Sequence, residues 1–299
     1  MMHDDEVPID EALAKRLIET QFPRFRGLPV EALTGAGTDN VIFRIGDRAA
    51  ARFRRRAMDP AKCSALLLAE AEAMSELAEN CSVPSPRPLG LGRPGLSYPL
   101  PFSVQTWIAG DVATPDGLAA SDEFARDIAR LIAGFRRADT RGRPFGGKGR
   151  GGRLADHDDW MAVCFEKSDG LLDVARLRAL WDRFRLLPPA ATLVMNHKDL
   201  IPGNLLVGDG RLFGVLDGGG FGPADPALDL VAGWHMLDRE RRMLLRRHLG
   251  CDDAEWQRGA AWAFQQAMGL VWYYRRTAPA MAMLGESTLG RLLEDLSSS

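Results

Sequence analysis

The residues best suited to chemistry fall at positions 194–230, in the run VMNHKDLIPGNLLVGDGRLFGVLDGGGFGPADPALDL. An apolar stretch at 193–195 feeds a polar turn at 196–204. A short strand at 205–207 then turns at Gly208-Asp209-Gly210 and returns along 212–216 to end on Asp217. A hairpin brings its ends back to the same side, so Asn204 and Asp217 are expected to lie near each other, with Asp199 just upstream. Two carboxylates and a carboxamide on one rim form a hard-oxygen site of the kind Mg²⁺ accepts, completed by waters and phosphate oxygens. The glycines after Asp217 leave room for phosphates to approach. Asp209 is fully explained as a turn former; the joint spacing of the other three singles them out.

A second charge stands out on a helix expected at 61–79, a run of strong helix formers without Gly or Pro. Leu66, Glu70, Ala73, Met74 and Leu77 share one face, which puts Glu70 inside an apolar stripe. Burying a carboxylate costs on the order of several kcal/mol unless it is paired, so this position demands a cation. On the preceding strand Ala49, Ala51 and Phe53 share one face, leaving Arg52 on the other with Ala50 and Arg54. Arg52 is the expected partner of Glu70.

The elements around these residues change character along the chain. Helical periodicity at 8–20 is followed by alternating segments at 41–45 and 49–53, read as a hairpin around a two-residue Gly46-Asp47 turn. Pro84, Pro86 and Pro88 stop the 61–79 helix, and a further strand is expected at 101–108. Beyond it the pattern is helical, at 121–138, 171–185, 226–234 and 254–275, interrupted by a glycine-rich basic stretch at 142–152 that reads as a mobile loop. The expectation is a small strand-rich lobe at 1–104 and a larger helical lobe at 111–299, joined at 105–110. Clefts between domains are where ligands usually sit.

Composition sets the outer limits. The chain has 299 residues, 46% hydrophobic and 26% charged, with a formal charge of −2, an ordinary soluble balance without the basic field that coats nucleic acid. The acidic start lacks an apolar h-region, and no apolar run approaches the roughly 18–20 residues that span a bilayer. Cys63, Cys81, Cys164 and Cys251 are scattered without a C-x-x-C pair, as small buried hydrophobes of a reducing compartment would be. A cytoplasmic protein without nucleic-acid or membrane partners is expected.

The motif H-x-D-L-x-x-x-N, from His197 through Asp199 and Leu200 to Asn204, together with Asp217-Gly218 and the D-P-A-x-D-L run from Asp225 to Leu230, resembles the aminoglycoside phosphotransferase family. These are bacterial small-molecule kinases of the protein-kinase-like fold. The resemblance extends to GAGTDNVIFRIGDR at 35–48, to Arg52 and Glu70, to the hinge pattern at 103–110 and to Trp272-Tyr273-Tyr274, and so covers roughly residues 30 to 280. It implies an α+β bilobal fold, with a small antiparallel-sheet N-lobe carrying one helix and a larger, mainly helical C-lobe. It implies Asp199 as catalytic base, Asn204 and Asp217 as Mg²⁺ ligands, and Arg52, held by Glu70, on the phosphates of ATP or GTP. Gly35 and Gly37 would form the loop over the phosphates, and backbone groups of Thr106 and Ile108 would meet the base. His197 and Asp229 would brace the catalytic loop; Asp225 with Pro226 reads as a helix N-cap.

The activity implied is transfer of the γ-phosphoryl group to a hydroxyl of a small molecule, an aminoglycoside or another antibiotic. The alternatives are a kinase of an amino alcohol or sugar, or a non-catalytic nucleotide-binding module, the latter motivated by Lys198 between His197 and Asp199 and by Gly218 after Asp217. A polycationic acceptor needs a carboxylate-lined pocket. Asp156, Asp158, Asp159 and Glu166, or Asp238, Glu240, Asp252, Asp253 and Glu255, are the candidates, although solvated helix and loop faces are their plainer reading.

Overall fold

The computed structural model describes residues 7–33, 39–147 and 149–297. In chain order they form α1 (Glu11–Gln21), β1 (Val30–Ala32), β2 (Asn40–Ile45), β3 (Ala49–Arg54), α2 (Pro60–Asn80), β4 (Pro88–Gly92) and β5 (Phe102–Thr106). There follow β6 (Asp111–Val112), α3 (Asp122–Arg137), α4 (Asp158–Lys167), α5 (Val174–Phe184), β7 (Val194–Asn196), β8 (Leu205–Gly208), β9 (Arg211–Val215) and β10 (Gly222–Ala224). The chain ends with α6 (Val231–Met236), α7 (Arg239–Leu249), α8 (Asp253–Tyr274) and α9 (Pro279–Ser297). Contacts divide the described residues into two units, one comprising those up to 79 with 84–109 and 217–220, the other 80–83, 110–216 and those from 221 onward.

In the first unit, alternation builds an antiparallel sheet of order β1-β2-β3-β5-β4. The inward residues of three strands supply an aromatic core: Phe53 stacks on Phe102 at 4.4 Å and meets Tyr98 and Phe43 edge-on at 5.1 and 5.6 Å. Gly92 is required here, because a Cβ at that position would come within 2.1 Å of the Phe102 ring. The β2–β3 register pairs Ile45 with Ala49, leaving a three-residue loop instead of the expected two. Arg48 joins the loop, its carbonyl accepting the Trp107 N–H.

Helix α2 begins where Asp59 accepts the Lys62 N–H with Pro60 at the first helical position. Its buried residues are Cys63, Leu67, Met74 and Leu77, whereas Leu66 is 46% exposed. The apolar face is thus rotated by about one residue from the expected stripe, because Cys63 and Leu67 supply it in place of Leu66. Glu70 consequently lies at the edge of the buried face, only partly covered.

In the second unit, Ser121 caps α3 through the Phe124 N–H, and Phe124, Ile128, Leu131, Ile132 and Phe135 form its buried stripe. Helix α8 is buried along most of its length. Two small sheets, β6-β8-β9 and β10-β7, flank the turn at 197–204. The β8–β9 hairpin closes with Gly208 opposite Arg211, and Asp209 and Gly210 both have positive φ, the conformation a tight two-residue turn needs. The helix expected at 226–234 is split into a 3₁₀ turn at Leu228–Leu230 and α6. Asp225 precedes this split segment and makes the bond expected of a cap, with further partners in the interior. Its carboxylate accepts the Ala227 N–H and bonds the Arg258 and Trp262 side chains in the interior.

Residues of the 142–152 stretch form no helix or strand among those described, but the end of this stretch is tied down. The Gly151 carbonyl accepts the Asp225 N–H, and a Cβ on Gly151 would lie 2.7 Å from that of Ala224. The four cysteines are free thiols, Cys63, Cys164 and Cys251 buried and Cys81 half-buried. Among the described residues no helix is long and apolar enough to cross a membrane.

Candidate active site

In the second unit the site grows from one buried carboxylate. Asp229, on the 3₁₀ turn before α6, accepts the backbone N–H of His197 at 2.7 Å and of Lys198 at 2.9 Å, clamping the turn that leaves β7. Burial pushes its carboxyl above the usual range, against the pull of His197 and these two donors. The clamp holds Lys198 at φ +74°, a region costing a non-glycine residue about 1–3 kcal/mol. The Lys198 ammonium is drawn below the ordinary lysine range by burial, which Asp229 opposes and Arg143 assists. Next to it the His197 ring meets the Leu216 carbonyl through Nε2 at 2.8 Å, and Nδ1 accepts the Asp199 N–H at 3.3 Å.

Asp199 therefore projects from a braced backbone. Its Oδ2 accepts from Asn204 Nδ2 at 3.0 Å, and the same amide nitrogen reaches the Asp199 carbonyl at 2.9 Å. With both amide protons so used, the Asn204 side-chain oxygen is the atom it can offer a cation. Oδ1 accepts from Gln266 Nε2 at 2.8 Å and from Arg150 at 3.0 Å.

Neither Gln266 nor Arg150 is legible as a site residue in the sequence. Gln266 lies 67 positions from Asp199, signalled only as a polar residue in an otherwise apolar helix. Arg150 comes from the stretch expected to be mobile; its basic character was the signal.

In the first unit, Arg52 and Arg54 share the polar face of β3 as expected, but their partners differ from the expected pairing. Arg54, not Arg52, is ion-paired with Glu70, and Arg52 pairs with Asp217 at 2.9 Å. The period of two that places Arg54 on the same face as Arg52 also puts it within reach of α2. Asp217 is 47% exposed and sits at φ +57°. The Nε atoms of both arginines are buried without a hydrogen-bond partner. The glycines after Asp217 are closely packed: a Cβ on Gly218 would lie 3.0 Å from the Leu77 side chain and one on Gly219 3.2 Å from that of Glu70, so these neighbours would have to give by a few tenths of an ångström.

Four further positions were expected to meet the nucleotide. The Thr106 N–H is already given to the Arg87 carbonyl, so that residue has no backbone donor to spare; Ile108 follows the end of β5. Gly35 and Gly37 lie outside the described residues. Asn204 belongs to the second unit and Asp217 to the first.

The candidate carboxylates for a cationic acceptor are mostly committed. Asp158 pairs with Arg185 and accepts the Trp181 indole N–H, and Asp238 and Asp252 cap α7 and α8. Glu240, Asp253 and Glu255 pair with Arg241, Arg246 and Arg136, and Glu166 with Lys167. Asp156 and Asp159 are exposed.

The fold is shared with solved phosphotransferases. The GDP and kanamycin complex of APH(2")-IIia superposes with a TM-score of 0.69 at 19% identity, covering 96% of this chain and 99% of that one. Macrolide 2'-phosphotransferase MphH from Brachybacterium faecium gives 0.61 at 17% identity, covering 94% and 98%. ADP-bound aminoglycoside phosphotransferase APH(2'')-Ib gives 0.58 at 17%, covering 95% and 97%. This is the protein-kinase-like α+β architecture. The chain belongs to the phosphotransferase enzyme family, whose model matches residues 31–262. No curated protein matches it.

Proposed function

We propose that the protein transfers the γ-phosphoryl group of ATP or GTP to a hydroxyl of a small molecule, with Asp199 as the base. The observation that carries this is the Asp199 carboxylate, fixed by Asn204, Gln266 and Arg150 on a turn clamped by Asp229. The acceptor hydroxyl oxygen attacks the γ-phosphorus, the bond to the β,γ-bridging oxygen breaks, and the hydroxyl proton passes to Asp199, releasing a nucleoside diphosphate. Positioning and electrostatics dominate such reactions.

Asn204 and Asp217 are the metal-binding pair in this reading. Their donor set fits: an amide oxygen left over by two donated protons and a half-exposed carboxylate whose partner is an arginine. Mg²⁺ held by them would supply positive charge to neutralise what develops on transfer. Arg52 then exchanges Asp217 for the α- and β-phosphates, an exchange its unpartnered buried Nε favours. Glu70 acts through Arg54, holding the neighbouring cation and thereby the face of β3. His197 and Asp229 brace the loop.

Solved relatives carry GDP or ADP, and one carries kanamycin; for this chain an aminoglycoside, a macrolide or another hydroxyl-bearing antibiotic is the acceptor class to try first. A coupled ADP/GDP-release assay with Mg²⁺, both nucleotides, and a panel adding amino alcohols and sugars tests the proposal. Release stimulated by one class and absent in Asp199→Ala supports it. Release no greater than that of Asp199→Ala across the panel, in protein that binds nucleotide, overturns it.

A further inference from the structure

Behind Asp199 lies a line of buried polar groups contributed by three helices. Gln266 of α8 reaches Asp199 Oδ1 with Nε2 at 2.8 Å, its Oε1 meets His235 Nε2 of α6 at 3.1 Å, and His235 Nδ1 meets Thr288 Oγ1 of α9 at 2.8 Å. His235 and Thr288 are wholly buried, and Gln266 is 9% exposed. We propose that Gln266 is a positioning residue for Asp199, set in one orientation by a one-way hydrogen-bond chain running from Thr288 through His235. The proposal rests on Asp199 being the base, and assigns a role to three residues that the resemblance did not.

Chemistry fixes the direction of the chain. An ionised carboxylate only accepts hydrogen bonds, so Gln266 must turn its amide nitrogen to Asp199 and its oxygen to His235. That oxygen requires a proton on His235 Nε2, which leaves Nδ1 as an acceptor for the Thr288 hydroxyl. A charged imidazolium would present two donors, and Thr288 would have to reverse. Burial holds His235 neutral, with its pKa pulled down to about 4 against the bond to Gln266, and the positive Arg150 and Arg291 act in the same direction as burial.

The consequence falls on the two oxygens of Asp199. Among the described residues Oδ1 receives two donors, Gln266 and Arg150, whereas Oδ2 receives one, Asn204. Each carboxylate oxygen has about two acceptor sites, so Oδ2 keeps one for the acceptor's hydroxyl proton. Gln266 selects the reactive oxygen by occupying the other.

The experiment pairs a spectroscopic readout with a kinetic one. In full-length protein labelled with [¹⁵N]histidine, the resonance missing from His235→Gln is expected to show the Nε2–H tautomer and no titration between pH 5 and 8. Thr288→Val, which keeps the shape and removes the hydroxyl, should mix the tautomers, and Thr288→Ser should restore a single one. Turnover is followed with Mg²⁺ and ATP or GTP, using water or the best acceptor of the panel. Gln266→Leu should lower kcat by about 10- to 100-fold, the scale of a misplaced reacting group, with the nucleotide KM unchanged. Thr288→Val should lower it by a smaller factor, and Thr288→Ser should recover it.

An Nδ1–H tautomer in the wild type would turn the Gln266 oxygen toward Asp199 and overturn the chain. So would equal losses in Thr288→Val and Thr288→Ser, or a Gln266→Leu effect confined to nucleotide KM. A wild-type protein with the Nε2–H tautomer but no turnover on any acceptor would overturn the base assignment, and with it the positioning role, while leaving the direction of the chain established.

Discussion

Asp217 and Asp199 are held in opposite ways although their side chains are similarly open, at 47% and 37% exposed. In the first unit Asp217 has one partner among the described residues, Arg52, at the end of a strained backbone turn. In the second, Asp199 accepts from Arg150, Gln266 and Asn204 on a turn clamped by a buried carboxylate. A lone ion pair at that exposure contributes little and exchanges readily; several donors converging on one carboxylate fix its orientation before any ligand arrives. One region is arranged to trade partners and the other to keep them, which is what the roles proposed for Asp217 and Asp199 require.

Removing each carboxylate breaks this contrast most sharply. Asp199→Ala is expected to lower kcat by roughly 10²–10⁴-fold, the range for a general base, and to leave Mg·nucleotide affinity nearly intact. Asp217→Ala is expected to weaken Mg·nucleotide binding as well. Titration calorimetry with a nonhydrolysable nucleotide, beside single-turnover rates, separates the two; equal loss of nucleotide binding in both variants would contradict the assignment.

The clamp itself comes next. Asp229→Ala removes two charge-assisted bonds to the His197 and Lys198 amides and leaves those donors buried, at a cost of about 2–4 kcal/mol. Urea unfolding measures that loss, and the variant should also lose turnover because Lys198 is no longer held at positive φ. A stable Asp229→Ala with wild-type rates would show that the turn needs no clamp.

What the sequence disclosed follows the same division. The closeness of Asp199 and Asn204 was legible because turn spacing is local, as was the β8–β9 turn. The network was not, because Gln266, His235 and Thr288 are brought to Asp199 by the packing of α6, α8 and α9, which no spacing rule encodes. The Arg54–Glu70 pair was half legible: period two places both arginines on one face, but the rotation of α2 that sets which one meets Glu70 depends on Cys63 and Leu67 packing into the sheet core. The loop at 142–152 read as free because glycine sets only backbone freedom, whereas Arg150 and the Gly151 carbonyl supply its anchors.

That arginine pair offers a finer test. Arg52→Met is expected to raise the Kd for Mg·nucleotide about tenfold with a small effect on stability. Arg54→Met should cost about 1 kcal/mol of stability by leaving Glu70 partly buried without its cation, and should alter nucleotide affinity less. Isothermal binding and urea unfolding on both variants decide it; the reverse ordering would restore Glu70 to Arg52 in the working protein.

The smallest expected effect lies away from the site, in the ion pair that fastens α3 to β9. Asp127 is buried, which alone would raise its carboxyl, but bonds from Arg211 and Arg130 and from the Leu212 N–H outweigh burial and hold it below the usual range. A carboxyl depressed in the folded state contributes its stability above the unfolded pKa, about 3.9, and loses it as pH falls through the lower folded value. Stability measured by urea unfolding should therefore decline between about pH 5 and pH 3, and Asp127→Asn should flatten part of that acid limb while lowering stability at pH 7 by about 1 kcal/mol. An acid limb identical in wild type and Asp127→Asn would mean that Arg211 finds another anion when Asp127 is gone, with Glu123, 3.2 Å away, the carboxylate placed to provide it.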